Sequence, residues 1–231
     1  MPKKVLLLDA FGTLLSGGIE AIYRTCEEIV ENNSLDMTSR EFLRIWDGHY
    51  KTLLGGDFIT IWKANEVSLK KTYRELGIDD RTEDYLERMY ASWFEARLYE
   101  DASKALPKLK NVTKCMLSNA DEHLLDVVMS RNGLNFEHSV SSERARAYKP
   151  YPGIFEFALN EVGCGAEEAV MVGDSQTSDI VGAKRMAIPV IWINRIGEDI
   201  HEGVPEPDYE AKDILDMLGI LSKEGLFEEL E

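Results

Sequence analysis

Short aliphatic-rich runs recur along the chain, separated by longer stretches in which apolar residues return every three or four positions. Val5–Leu8, Val112–Leu117, Ala169–Val172 and Ile188–Ile193 are such runs, and Phe136–Val140 is a weaker one. Runs of this length without strict alternation predict strands buried on both faces, with amphipathic helices between them as covering layers. Glycines mark two helix ends: Asp121–Asn132 runs into Gly133 and Tyr151–Val162 into Gly163, where a left-handed residue closes a helix. The pattern predicts an α/β fold with a doubly wound parallel sheet, a Rossmann-like core.

From Ser16 to Glu95 no strand pattern appears. Ile19, Ile22, Cys26, Ile29 and Val30 carry helical spacing, and Thr38 with Glu41 offers a capping box for a second helix. Leu54-Gly55-Gly56-Asp57 breaks that helix, Phe58–Leu76 is helical up to Gly77, and Asp80–Glu95 reads as a fourth helix. Residues 16–95 are therefore expected to form an all-helical, four-helix cap, inserted into a core made of 1–15 and 96–231. Ligands of open α/β sheets bind at the carboxyl ends of the strands. The insertion leaves from that end, so it can serve as a lid. Past Arg195, the prolines at 205 and 207 predict a loop returning toward the sheet, and Ala211–Leu221 a last amphipathic helix.

Composition narrows the chemistry. The 231 residues, 44% of them hydrophobic, suffice for a sizeable core. A formal charge of -16 repels phosphate backbones and anionic lipid, which argues against nucleic-acid and membrane partners. No apolar run reaches the length of a membrane span, and Val5–Leu8 is too short for a secretory signal. Cys26, Cys115 and Cys164 lie far apart and the four histidines form no ligand cluster, so reduced thiols, a cytoplasmic location and no zinc are expected. Nothing in the pattern separates a monomer from a homodimer.

The candidate chemistry sits where the strands end. Strand one ends on Asp9, with Thr13 following; the second ends on Ser118-Asn119; Lys149-Pro150 precedes a helix; and another strand ends on Gly173-Asp174-Ser175, with Asp179 a turn on. Each alone reads as a cap, a turn residue or a solvated lysine. Together they place three carboxylates at one end of one sheet. Two unit charges about 4 Å apart repel by roughly 4 kcal/mol at an effective dielectric near 20. A cation among them offsets that repulsion, and an all-oxygen set favours Mg²⁺.

The ordered set Asp-x-x-Gly-Thr, Ser-Asn, Lys-Pro and Gly-Asp-Ser-x-x-x-Asp resembles the haloacid dehalogenase superfamily, in its form with a helical cap after the first strand (C1-type). The resemblance extends over nearly the whole chain. It implies that Asp9 is a nucleophile forming a covalent aspartyl intermediate, with Thr13, Ser118 and Lys149 as its catalytic partners. It implies that Ser118 and the Asn119 backbone amide hold the transferred group, that Lys149 neutralises it, and that Phe11 and Gly12 border the substrate. It further implies a Mg²⁺ held by the Asp9 carboxylate, the Phe11 backbone carbonyl and the Asp174 carboxylate, with Asp179 supporting the metal's water shell.

Phe11 divides the readings. Phosphatases of the superfamily carry a second Asp there, as general acid and base, whereas the namesake dehalogenases place an aromatic. Asp174, however, is the phosphatase form of the last motif, and the dehalogenases' halide-handling Arg and Tyr are not found at the comparable positions, Asp47 and Phe155. The expectation from these residues is a Mg²⁺-dependent phosphohydrolase acting through an aspartyl-phosphate on a small phosphorylated metabolite. Whether Asp57 or His49 of the cap replaces the missing acid on closure is left open by the sequence. The alternative is a metal-independent 2-haloacid dehalogenase, and a third reading is a non-catalytic binder of a phosphorylated ligand or protein.

Overall fold

A computed structural model describes residues 5–227. In chain order the elements are β1 (Val5–Leu8), α1 (Gly18–Asn32), α2 (Ser39–Leu54), α3 (Ile61–Leu76), α4 (Thr82–Phe94), α5 (Glu100–Ala105), β2 (Thr113–Ser118), α6 (Glu122–Arg131), β3 (His138–Ser141), α7 (Ser142–Ala145), α8 (Pro152–Val162), β4 (Ala169–Gly173), α9 (Val181–Arg185), β5 (Val190–Ile193), β6 (Tyr209–Ala211) and α10 (Ile214–Lys223). The sheet is parallel throughout, in the order β3-β2-β1-β4-β5-β6. That order reverses direction beside β1, the switch point at which doubly wound sheets bind ligands.

Side chains of β1 alternate between two cores, as strand geometry requires. Val5 and Leu7 pack with Ile154, Phe155, Ala158 and Ala183 of α8 and α9. Leu6 and Leu8 belong to the other core, with Leu124 and Val128 of α6, Met217 of α10 and the helices α1–α4. The strand β1 is fully buried between them. Among the described residues no helix is long and apolar enough to cross a membrane.

Local signals explain most element ends. Thr38 Oγ1 accepts from the Glu41 backbone N–H while Glu41 Oε2 accepts from Thr38 N–H at 2.8 Å, the reciprocal capping box. Gly77 and Gly163, in the left-handed region, close α3 and α8. Helix α3 starts at Ile61, later than Phe58, because Thr60 caps it and Phe58–Ile59 pack on the core. Helix α10 likewise starts after Asp213, whose carboxylate caps it. Residues 209–211, expected to lie in a loop or at a helix start, instead add β6 to the sheet edge.

The chain enters and leaves α1–α4 through two adjacent segments. Ser16 N–H donates to Arg97 O at 2.8 Å and Tyr99 N–H to Leu14 O at 2.9 Å. This antiparallel pair stands at the carboxyl end of β1, so the helical block rises directly over the strand tips.

Candidate active site

The burial of β1 determines where Asp9 goes. Its backbone N–H still bonds to Val172 O of β4 at 2.9 Å, so Asp9 is the last residue held by the sheet before the chain turns. The turn folds tightly: Leu14 and Leu15 N–H both reach Ala10 O, and Gly12 N–H reaches Leu15 O at 2.7 Å. Gly12 takes φ +88°, and a Cβ there would overlap the Asp174 carboxylate. Glycine is thus required twice over, by conformation and by the close approach of Asp174.

Lys149 joins the carboxylates. Its Nζ donates to Asp9 Oδ1 at 2.6 Å, to Asp179 Oδ1 at 2.7 Å and to Leu117 O at 2.8 Å, which uses all three ammonium donors. Burial lowers its proton affinity, but the charges of Asp179 and Asp9 outweigh that, and the net shift is upward. Lys149 is therefore cationic. Asn119 fixes its backbone from β2's end: the side-chain amide donates to Lys149 O at 2.9 Å and accepts from Lys149 N–H at 2.8 Å.

The other two acids arrive from β4. Asp174 Oδ1 accepts from Thr13 Oγ1 at 3.0 Å, and Asp179 Oδ2 from the Ser175 N–H at 3.0 Å. A Cβ at Gly173 would overlap the Asp179 side chain, so that glycine is what lets Asp179 fold back under the strand tip. Burial, then the charges of Asp9 and Asp179, raise the Asp174 carboxyl well above the usual range against the Thr13 hydrogen bond. Burial also raises Asp179, to about 6, with Lys149 pulling the other way. One carboxylate oxygen from each of Asp9, Asp174 and Asp179 lies within 4.8 Å of the others, an all-oxygen set that suits a hard divalent cation. Ser118, 2% exposed, ends β2 at the same edge.

Above this cluster lies a cavity of about 250 Å³ lined by Phe11, Gly12, Ile22, Tyr50, Trp93, Asn119 and Asp174, among others. Its walls are mostly apolar, and Phe11 stands against Trp93 with ring centroids 6.4 Å apart. Neither candidate cap acid lines it: His49 Nε2 is 2.8 Å from Glu75 Oε2, and Asp57 is exposed on the loop after α2.

A latch between α3 and the sheet went unread in the sequence. Asp121, three residues past Ser118, accepts from the Ile61 N–H at 2.6 Å and the Trp62 N–H at 2.8 Å, so it caps α3 of the helical block and not its own helix. Tyr148, next to Lys149, bonds to both the N–H and the carbonyl of Ile59. Only the adjacency of Asp121 and Tyr148 to site motifs hinted at this. Asp121→Ala is expected to cost roughly 1–2 kcal/mol, as lost helix caps do. It should also speed amide exchange at Ile61 and Trp62, read by NMR; unchanged exchange there would show that the latch is idle.

A buried carboxylate held by a lysine stands at the switch point of a parallel sheet, beneath a block of helices. The chain belongs to the haloacid dehalogenase-like hydrolase family, whose model matches residues 3–187. The (S)-2-haloacid dehalogenase of Pseudomonas sp. strain YL is 26% identical over 212 residues, 90% of this chain and 90% of that protein. A shorter match, 35% identical over 92 residues, covers 39% of this chain and 38% of a glyceraldehyde 3-phosphate phosphatase from Pyrococcus furiosus. Among solved structures, an L-2-haloacid dehalogenase superposes with a TM-score of 0.79 at 18% identity, covering 96% of this chain and all of that one.

These relatives correct the expected function. The phosphohydrolase reading, with its aspartyl-phosphate and phosphorylated metabolite, gives way to the dehalogenase alternative, because the relatives matching nine-tenths of the chain carry that name. The physical reason lies at Phe11. The phosphatase reading leaves that position without its acid, and neither cap residue considered as a replacement lines the cavity, His49 being paired with Glu75 and Asp57 exposed.

Proposed function

We propose that this chain hydrolyses the carbon–halogen bond of a short 2-haloacid. The carrying observation is the apolar wall that Phe11 and Trp93 form in the cavity that Asp174 of the acid cluster also lines. A halide leaves with its electron pair and needs no proton, so a site of this kind requires no acid at position 11. An alkoxide leaving group does require one, and a missing general acid forfeits about 10²–10⁴-fold.

The chemistry follows in two displacements. An Asp9 Oδ attacks the halogen-bearing carbon from the side opposite the halogen; a C–O bond forms, the C–X bond breaks, and halide departs. Water then attacks the acyl carbon of the Asp9 ester; the acyl C–O bond breaks, the 2-hydroxyacid oxygen takes up the proton drawn from that water, and Asp9 is restored as the carboxylate with release of one proton. Asp179, with its carboxyl raised to about 6, is suited to take the proton of that water. Lys149 holds the Asp9 carboxylate in place through its hydrogen bond to Oδ1. Ser118 and the Asn119 amide receive the substrate carboxylate, while Phe11 and Gly12 border its alkyl part.

The oxygen set of Asp9, Asp174 and the Phe11 carbonyl, with Asp179 behind it, is also proposed to accept Mg²⁺. The fit rests on the three convergent carboxylates and their single ammonium. Bound there, the ion supplies charge compensation. Mg²⁺ is expected to raise the melting temperature by mass action, and Asp174→Asn to remove that rise.

The deciding experiment is chloride release from (S)-2-chloropropionate, with and without EDTA. Release with inverted lactate in both conditions is expected. No release from either enantiomer, or from chloroacetate, would overturn the proposal.

A further inference from the structure

We propose that Arg195 is a positioning residue that clamps the nucleophile turn. It rests on the reading that Asp9 is the attacking group, and assigns a role to a residue outside all four motifs. Arg195 follows β5 at the carboxyl end of the sheet. Its Nε donates to Gly12 O at 3.1 Å and its Nη2 to Thr13 O at 2.7 Å. The same guanidinium makes a two-pronged pair with Asp101, Nη1 to Oδ1 and Nη2 to Oδ2, both at 3.0 Å. Asp101 Oδ2 in turn accepts from the Ile214 N–H at 2.8 Å, and the guanidinium lies over the Tyr99 ring, 3.8 Å from its centroid.

Each contact has a geometric consequence. Asp101 lies in the first turn of α5 and Ile214 begins α10, so the guanidinium is fixed by the core before it reaches the turn. The two carbonyls it holds belong to the residues between Asp9 and Leu14. Peptide groups are planar and trans, so holding Gly12 O on one side turns the Thr13 N–H to the other. Gly12 sits at φ +88°, a conformation with no side chain to fix it. Arg195 supplies that constraint from outside, and with it the placement of the Thr13 hydroxyl against Asp174. A lysine ammonium has its three donors on one atom and lacks the planar fork that pairs with Asp101 through two nitrogens while a third reaches the turn.

The clamp is tested with Arg195→Ala, Arg195→Lys and Asp101→Asn, each read by amide exchange over residues 10–15 and by steady-state chloride release. Faster exchange confined to the turn is expected, with kcat lowered by about 10²-fold, the scale of a 1 Å misplacement, and KM little changed. Millimolar guanidinium should restore part of the Arg195→Ala rate, which a general loss of folding would not allow. Should Arg195→Ala fail to fold, Arg195→Lys, which keeps the charge, must still show the kcat loss at a retained melting temperature. Unchanged exchange in the turn, or a kcat loss that only tracks the unfolded fraction and is not rescued, would overturn the clamp. If the wild-type protein releases no halide, the function proposed above has failed, and the exchange comparison alone decides the role of Arg195.

Discussion

Asp9→Asn is expected to leave chloride release at or below about 10⁻⁴ of the wild-type rate, the scale on which hydrolases lose activity with their nucleophile. Asparagine keeps the shape of the side chain and can still accept from Lys149, so the protein should fold. What it lacks is the charged oxygen that forms the new C–O bond. An isotope measurement makes the result specific. In a single turnover in ¹⁸O-water the product hydroxyl should carry ¹⁶O, because that oxygen comes from Asp9, and the label should appear in the Asp9 carboxylate. Label in the product of the first turnover would show that water attacks carbon directly and that Asp9 is not the nucleophile.

Lys149→Met is expected to be the most damaging substitution that removes no reacting atom. Its ammonium is the cation shared by Asp9 and Asp179 at 2.6 and 2.7 Å, with the lysine side chain 2% exposed. Removing one partner from a buried ion pair costs about 3–5 kcal/mol, because the remaining charge has no compensation. Three carboxylates would then face one another, and at least one would take up a proton. Loss of a fixed charge beside the nucleophile adds an activity defect of about 10²–10³-fold. Thermal melts and kcat should therefore fall together. Asp179→Asn separates the two effects: it removes one acid from the cluster and should recover part of the lost stability of Lys149→Met without recovering the rate. No recovery of stability would show that repulsion among the acids is not what Lys149 holds in check. The acid limb of the wild-type pH profile should lie near the raised Asp179 value of about 6, since activity on this reading needs Asp179 charged. The sign of its stability contribution is opposite. A carboxyl whose folded value exceeds the unfolded one favours the folded state as pH drops through that interval.

Much of this was legible from the chain. Buried strands announce themselves because a strand covered on both faces has no polar positions to interrupt it, and β1 and β4 show this most clearly. The site acids were legible because strand tips are where an α/β sheet binds. Edge strand β6 was not, since three residues with an exposed Glu210 at the centre carry no burial signal. The start of α3 was misplaced because Phe58 and Ile59 are apolar for another reason, their contact with Tyr148. Arg195 and Asp121 escaped for a shared cause: each binds backbone groups, and backbone groups leave no trace in residue identity. Phe11 was visible from the first but ambiguous, because one residue type serves both as a lost acid and as an apolar wall. The surroundings, an apolar cavity that neither cap acid lines, favour the wall.

The paired segments Leu14–Ser16 and Arg97–Tyr99 make the helical block a cassette with a single two-wire plug. Both wires meet the core side by side, and no strand of the sheet lies within the block. Evolution or an engineer can thus exchange the block as a unit and leave the strand order, and the machinery at the strand tips, untouched. Substrate range then becomes a property of what is plugged in, and bond-breaking a property of the socket.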